Sequence, residues 1–171
     1  MSRIKHAFEQ QAKIAYLTAG DGGAQKSAEY FLALAAGGVN LLEVGIPYSD
    51  PVADGPVIQA AMERSLLSGT TVRSSLEIIR QVRAKSDVAM IVFTYYNPIH
   101  HNLRGFLRDA KDAGADGVLV VDLPFEEAHN YHHYCRSLDL APITVIAPST
   151  KPERMQDILA HIDNGFVYYA C

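Results

Sequence analysis

Glu43 lies inside an otherwise apolar run, Leu41-Leu42-Glu43-Val44-Gly45-Ile46, and two more carboxylates, Asp50 and Asp54, follow in the next ten residues or so. A carboxylate within an apolar run is costly to bury unless it has a partner or a task. Burial raises its pKa, so such a glutamate can both give and take a proton near neutrality. An aspartate on a wetter loop stays ionised and can hold an N–H or a developing positive centre. Two carboxylates in unlike surroundings are a recurring acid–base arrangement. The residues alone leave plainer readings open: Glu43 paired with a core Lys, Arg or Tyr, and ordinary turn chemistry for Asp50 and Asp54. The segment 47–56 reads Pro-Tyr-Ser-Asp-Pro-Val-Ala-Asp-Gly-Pro, and its prolines lower the entropy lost when it orders.

These groups need elements to position them. Nearly continuous apolar runs occur at 13–19, 41–46, 88–95, 117–122, 142–147 and 166–171. Continuous runs, rather than alternating ones, mean strands covered on both faces, as in parallel sheets. Helices are expected between them. A short amphipathic helix at 2–10 places Ile4 and Phe8 on one face. A second, 24–36, stops at Gly37-Gly38. Pro56 opens a helix over 57–67. Thr71 caps one at 72–84. Another runs 125–138, and Thr150-Lys151-Pro152-Glu153 has capping-box spacing for a last one. Alternating strands and helices suit a (β/α)8 barrel or an open doubly wound sheet. No G-x-G-x-x-G follows the first strand, and Gly20-Asp21-Gly22-Gly23 reads as a turn. The expected class is therefore α/β, a TIM (β/α)8 barrel truncated after the sixth strand, with residues 1–171 as a single incomplete barrel domain. The sequence ends on that strand, at Cys171, which reads as a fragment. In such a barrel functional groups gather at the C-terminal ends of the strands.

The composition narrows the classes. The 171 residues are 49% hydrophobic and 20% charged, with a formal net charge of −4, as in an ordinary soluble globular protein. No basic patch dominates, which argues against nucleic acid. Arg80, Arg83 and Lys85 fall late in a helix, where they complement its dipole. The two cysteines, Cys135 and Cys171, share no motif spacing and make no disulfide framework. No stretch approaches the roughly 20 apolar residues of a membrane span, and residues 1–6 carry no long apolar run. A cytoplasmic location and no membrane partner are expected. His129, His132, His133 and Cys135 are metal-ligand types. On the 125–138 helix, however, Phe125, Ala128, Cys135 and Leu138 form the apolar stripe and His129 and His133 face outward, so no metal is expected. His100 and His101 precede a helix start. Met62, Met90 and Met155 read as core fillers.

The run at 42–56, Leu-Glu-Val-Gly-Ile-Pro-Tyr-Ser-Asp-Pro-Val-Ala-Asp-Gly-Pro, resembles the signature of the tryptophan synthase alpha chain family. Tyr16-Leu-Thr-Ala-Gly-Asp21, Tyr95-Tyr-Asn-Pro98, Gly117-Val-Leu-Val-Val-Asp-Leu-Pro124 and Gly165-Phe-Val-Tyr-Tyr169 match in the same order, so the resemblance covers essentially all of the sequence. It implies a lyase of tryptophan biosynthesis. The implied reaction is retro-aldol cleavage of indole-3-glycerol phosphate to indole and glyceraldehyde 3-phosphate. Glu43 would be the main acid–base group and Asp54 the second carboxylate, accepting the indole N–H. Tyr16, Tyr95, Leu119 and Tyr168 would line the indole pocket, with Tyr16 standing where the family often has Phe; as strand residues they can equally be core. Asp50 would face a beta chain in an alpha2-beta2 heterotetramer that receives the indole. No cofactor is expected in this chain; pyridoxal phosphate is expected in the beta partner.

The family's chain continues through two further strand–helix units, and barrels of this kind take phosphate on loops after strands seven and eight. Residues 1–171 alone are therefore expected to be inactive, with thermal unfolding unmoved by substrate. Rival phosphate-binding barrels, a ribulose-phosphate epimerase or an indole-glycerol-phosphate synthase, need a metal set or a catalytic lysine at a strand end, and neither appears. A non-catalytic subunit that activates a partner, and a stand-alone lyase releasing free indole, remain as alternatives.

Overall fold

The computed structural model describes residues 2–9, 11–162 and 164–170. Six strands, β1 (Ile14–Thr18), β2 (Leu41–Gly45), β3 (Ala89–Thr94), β4 (Gly117–Val120), β5 (Ala141–Ile146) and β6 (Val167–Tyr169), run parallel and lie side by side in chain order. The sheet curls into a half-barrel. Its helices are α1 (Arg3–Ala7), α2 (Ala24–Ala36), α3 (Pro56–Leu67), α4 (Val72–Arg83), α5 (Leu103–Ala113), α6 (His129–Ser137) and α7 (Pro152–Ala160). Two of them, α3 and α4, occupy the single connection from β2 to β3.

Alternation along each strand divides the apolar side chains into two layers. Leu42, Val44, Met90, Val92, Val118 and Val120 face outward and pack with Phe31 of α2, Ile78, Ile79 and Val82 of α4, and Leu107 of α5. Leu41, Ala89, Ile91, Leu119, Ala141 and Ile143 face inward, and Ile4 and Ala7 of α1 pack against them. The start of β4 must be glycine for this: a Cβ on Gly117 would lie 2.7 Å from the Ala141 carbonyl oxygen and 3.3 Å from Ile4 Cδ1. Helix α1 thus closes the N-terminal end of the sheet.

Several expected boundaries hold. Thr71 caps α4 in a reciprocal box with Ser74, Pro56 opens α3, and α2 ends at Gly37 with Gly38 at positive φ. Others shift for local reasons. The expected helix 125–138 is a 3₁₀ turn, Phe125–Glu127, followed by α6. Tyr131 and His132 consequently take the buried side of α6 with Cys135, and Phe125 packs edge-on against His132 and His161. The capping box at 150–153 does not form, because the Thr150 hydroxyl accepts from the Ala147 N–H instead and Lys151 becomes the N-cap. Met62 and Met90 are buried as expected, while Met155 is half-buried. Arg83 does more than complement a dipole. It donates to the Gly114, Ser86 and Val88 carbonyls and to the Asp116 carboxylate. The expected strand and helix ends at Cys171 and Gln10, and the start at Met1, lie outside the described residues.

Candidate active site

The inward parity of the strands gathers the candidate side chains on one face. Tyr16 of β1 stands beside Glu43 of β2, and the next inward pair is Thr18 beside Gly45. Phe93 of β3 is in register with Leu119 of β4. Tyr168 lies on β6, opposite Val145 of β5.

Glu43 is 9% exposed. Its Oε1 accepts a 2.6 Å hydrogen bond from the Tyr168 hydroxyl. The partner that sequence reasoning left open is thus a tyrosine on the same inner face. Burial raises the Glu43 carboxyl above the usual glutamate range, and the Tyr168 hydrogen bond offsets only part of this. Burial and the Glu43 carboxylate together hold the proton on Tyr168.

Asp54 belongs to the loop between β2 and α3. Its Oδ2 accepts from the Tyr95 hydroxyl at 2.7 Å, and that hydroxyl in turn accepts from the Ala53 N–H at 3.0 Å. Gln59 donates to the Asp54 carbonyl at 2.8 Å. The Tyr48 ring lies 5.1 Å from that of Tyr95, which follows β3 directly and is itself 1% exposed. Farther along, Arg64 of α3 grips Asp21 through two hydrogen bonds of 2.9 and 2.7 Å, and Ser65 donates to the Ala19 carbonyl. The helix that follows the loop is thereby tied to the turn after β1.

Tyr16 lies within electrostatic reach of both carboxylates. Burial pushes its hydroxyl up to about 12, and the charges of Asp54 and Glu43 both add to that shift. Its oxygen is 3.3 Å from Thr18 Oγ1, and its ring meets Phe93 edge-on at 5.3 Å. Leu119, 1% exposed, sits in the inner apolar cluster, against which Phe93, Phe166 and Tyr168 also pack.

Tyr16, Glu43, Leu119 and Tyr168 thus share the inner face of the sheet, and Asp54 with Tyr95 forms a second pair at the strand ends, near enough for the Asp54 charge to act on Tyr16. Asp50 is apart. It is exposed on the loop crest, its carboxylate accepts from the Ser49 hydroxyl at 2.5 Å, and neighbouring Val52 is 85% exposed. Sequence reading missed Thr18, Gly45, Tyr48 and Phe93. The first two could have been found by stepping two residues from Tyr16 and Glu43 along their strands. Tyr48 and Phe93 carry no comparable signal. His129 and His133 are exposed and His132 is buried. Among the described residues no group of three or more His, Cys, Asp or Glu side chains is arranged to hold a metal ion, and no helix is long and apolar enough to cross a membrane.

A family model described as tryptophan synthase alpha chain matches residues 2–171. The tryptophan synthase alpha chain of Coxiella burnetii (strain CbuK_Q154) is 50% identical over 172 residues, covering 100% of this chain and 67% of the relative. For other strains of that organism the covered share of the relative is 64%, so the chain spans about two thirds of the length of these relatives. Among solved structures, the alpha subunit from Legionella pneumophila str. Paris superposes with a TM-score of 0.92 at 36% identity, over 99% of this chain and 68% of that one. A chain of the tryptophan synthase complex from Pyrococcus furiosus gives a TM-score of 0.88 at 39% identity, over 93% of this chain and 66% of that one.

Proposed function

The chain belongs to the tryptophan synthase alpha chain family, and from that premise we propose that it supplies the acid–base centre for retro-aldol cleavage of indole-3-glycerol phosphate to indole and glyceraldehyde 3-phosphate. The observation that carries this reading is the pairing of two carboxylates with two tyrosines, Glu43 with Tyr168 on the inner face and Asp54 with Tyr95 at the strand ends.

The chemistry follows from their unlike surroundings. Glu43, whose carboxyl burial raises above the ordinary glutamate value, is the better suited of the two to give and take a proton. Delivered to indole C3, that proton leaves positive charge shared with the ring N–H, which Asp54 faces as hydrogen-bond acceptor. Glu43 then takes the proton from the hydroxyl on the carbon attached to C3. The O–H electrons become the aldehyde C=O, the carbon–carbon bond breaks, and its electron pair restores the indole ring. The ring itself is the electron sink, so no step passes through a cofactor in this chain. Tyr16, Tyr95, Leu119 and Tyr168 form walls suited to a flat aromatic substrate.

On this reading Asp50, on the exposed crest with Val52, meets a beta partner that holds pyridoxal phosphate and receives the indole. On the same reading residues 1–171 are a single, incomplete barrel domain, strands one to six, of a protein that acts in the cytoplasm. The test is indole release from indole-3-glycerol phosphate by the full-length protein. Glu43→Gln should lower kcat by about 10²–10⁴-fold, the usual worth of a positioned acid–base group, and Asp54→Asn should also cause a large loss. A Glu43→Gln protein that releases indole at the wild-type rate would return the chain to a purely activating role.

A further inference from the structure

We propose that the Tyr16 and Thr18 hydroxyls form a subsite for a neutral hydroxyl on the substrate's side chain, one layer toward the strand ends from Glu43. This deepens the proposed reaction and rests on it.

The position follows from the register. Tyr16 is paired with Glu43 and Thr18 with Gly45. The Tyr16 side chain leans over the next layer, into the space that a Cβ on Gly45 would take. That Cβ would fall 2.2 Å from the Tyr16 hydroxyl oxygen. Gly45 therefore makes room for the phenol, and the lean brings the phenol within 3.3 Å of Thr18 Oγ1. Thr18 is 4% exposed, so this is a hydroxyl pair built into the wall. The wall is not sealed. Tyr16 and Thr18 also line a cavity of about 420 Å³ that runs between α2 and α3, past Tyr30, Val57 and Ile58.

Charge decides the ligand class. If one hydroxyl donates to the other, the pair still has a donor and an acceptor to offer. It carries no charge, and its phenol keeps its proton to about pH 12. Asp54, and Glu43 once it has given up its proton, both act on the same phenol, so an anion placed there would meet negative charge before and after the proton is delivered. A phosphate is repelled and a hydroxyl is accepted. In indole-3-glycerol phosphate the hydroxyl-bearing carbons lie between the ring and the phosphate, the part of the substrate that passes nearest Glu43 when C3 meets it.

The experiment uses the full-length protein and two probes. One is indole-3-glycerol phosphate; the other is an indole carrying a plain alkyl phosphate chain without hydroxyls. Tyr16→Phe keeps the ring and removes the hydroxyl. It should lower kcat/KM for the substrate about three- to tenfold, the worth of one neutral hydrogen bond, while the Kd of the hydroxyl-free analogue stays unchanged. Thr18→Val should act in the same direction, Thr18→Ser should restore the wild-type value, and the double variant should lose little more than either alone. These two Thr18 variants carry the test if Tyr16→Phe folds poorly. An unchanged kcat/KM in Tyr16→Phe and Thr18→Val overturns the subsite and leaves the lyase reading standing. Parallel losses for substrate and analogue also overturn it, because a hydroxyl that only props the pocket would affect both. Absence of cleavage by the wild-type protein would instead remove the reaction on which the subsite rests.

Discussion

Glu43 illustrates how a single residue can oppose stability and serve chemistry. In the unfolded chain it ionises at the ordinary glutamate value; in the fold, burial holds its pKa higher. Between those two values the folded protein retains a proton that the unfolded chain has released. Stability therefore falls as pH rises through that interval and stays reduced above it. Glu43→Gln keeps an acceptor for the Tyr168 hydroxyl and removes the ionisation. The variant should melt above the wild type at about pH 8, with the gap closing as pH falls into the carboxylate range. Melting curves of both proteins across that range check this, and a gap independent of pH would sink it. Higher stability combined with lost indole release would mark Glu43 as a group kept for its reactivity. Its suspicious position was legible from charge in an apolar run. Its tyrosine partner was not, because Tyr168 is 125 residues away and only the curl of the sheet makes them neighbours.

At the level of elements, one ion pair couples three segments at the N-terminal end of the sheet. Arg83, at the end of α4, and Asp116, just before β4, are 2.8 Å apart with 14% and 12% of their side chains exposed. Asp116 Oδ2 also accepts from the Met90 N–H of β3, while the guanidinium satisfies three carbonyls. Removing the cation leaves this largely buried carboxylate with only the half-exposed Arg3, 3.2 Å away, as counter-charge, and leaves three carbonyls without their donor. Arg83→Met should destabilise by about 3–5 kcal/mol, lowering Tm by roughly 10 °C. Assayed well below the transition, its kcat and KM should stay near wild type, since these contacts are remote from Glu43. Thermal unfolding and initial rates test the two halves separately. The sequence marked Arg83 only as a cation late in a helix. Its real partners come from the following turn and from the turn that leads into β4, and helix periodicity says nothing about those.

Across the whole molecule, the two ends of the sheet divide the labour that parallel barrels commonly divide. The N-terminal end is closed by α1, with Ile4 3% exposed against Ala89, Ala141 and Gly117. The opposite end carries Asp54, Tyr95 and the loop crest with Asp50. Ile4→Ala should therefore cost stability, about 2–5 kcal/mol for a buried isoleucine, without loss of kcat at temperatures where the protein is folded. Chemical denaturation beside a rate assay distinguishes this from a site defect; a lower kcat at full folding would contradict the division.

The sequence by itself determined the elements and their alternation. Continuous apolar runs, a Thr71 cap, Pro56 and Gly37-Gly38 act locally, within one turn or one strand, and so could be read without neighbours. The same locality explains the failures: the Thr150 hydroxyl accepts from the Ala147 N–H in place of a capping box, and the 125–138 helix is interrupted at Ala128, where Phe125 packs on His132 and His161 across the break. Which tyrosine meets which carboxylate, how Gly45 admits the Tyr16 phenol, and why Asp50 stands apart from Glu43 and Asp54 were decided only by the tertiary structure. Those contacts depend on strand register and sheet curvature, which arise from the simultaneous packing of two apolar layers and leave no trace in any single stretch of chain.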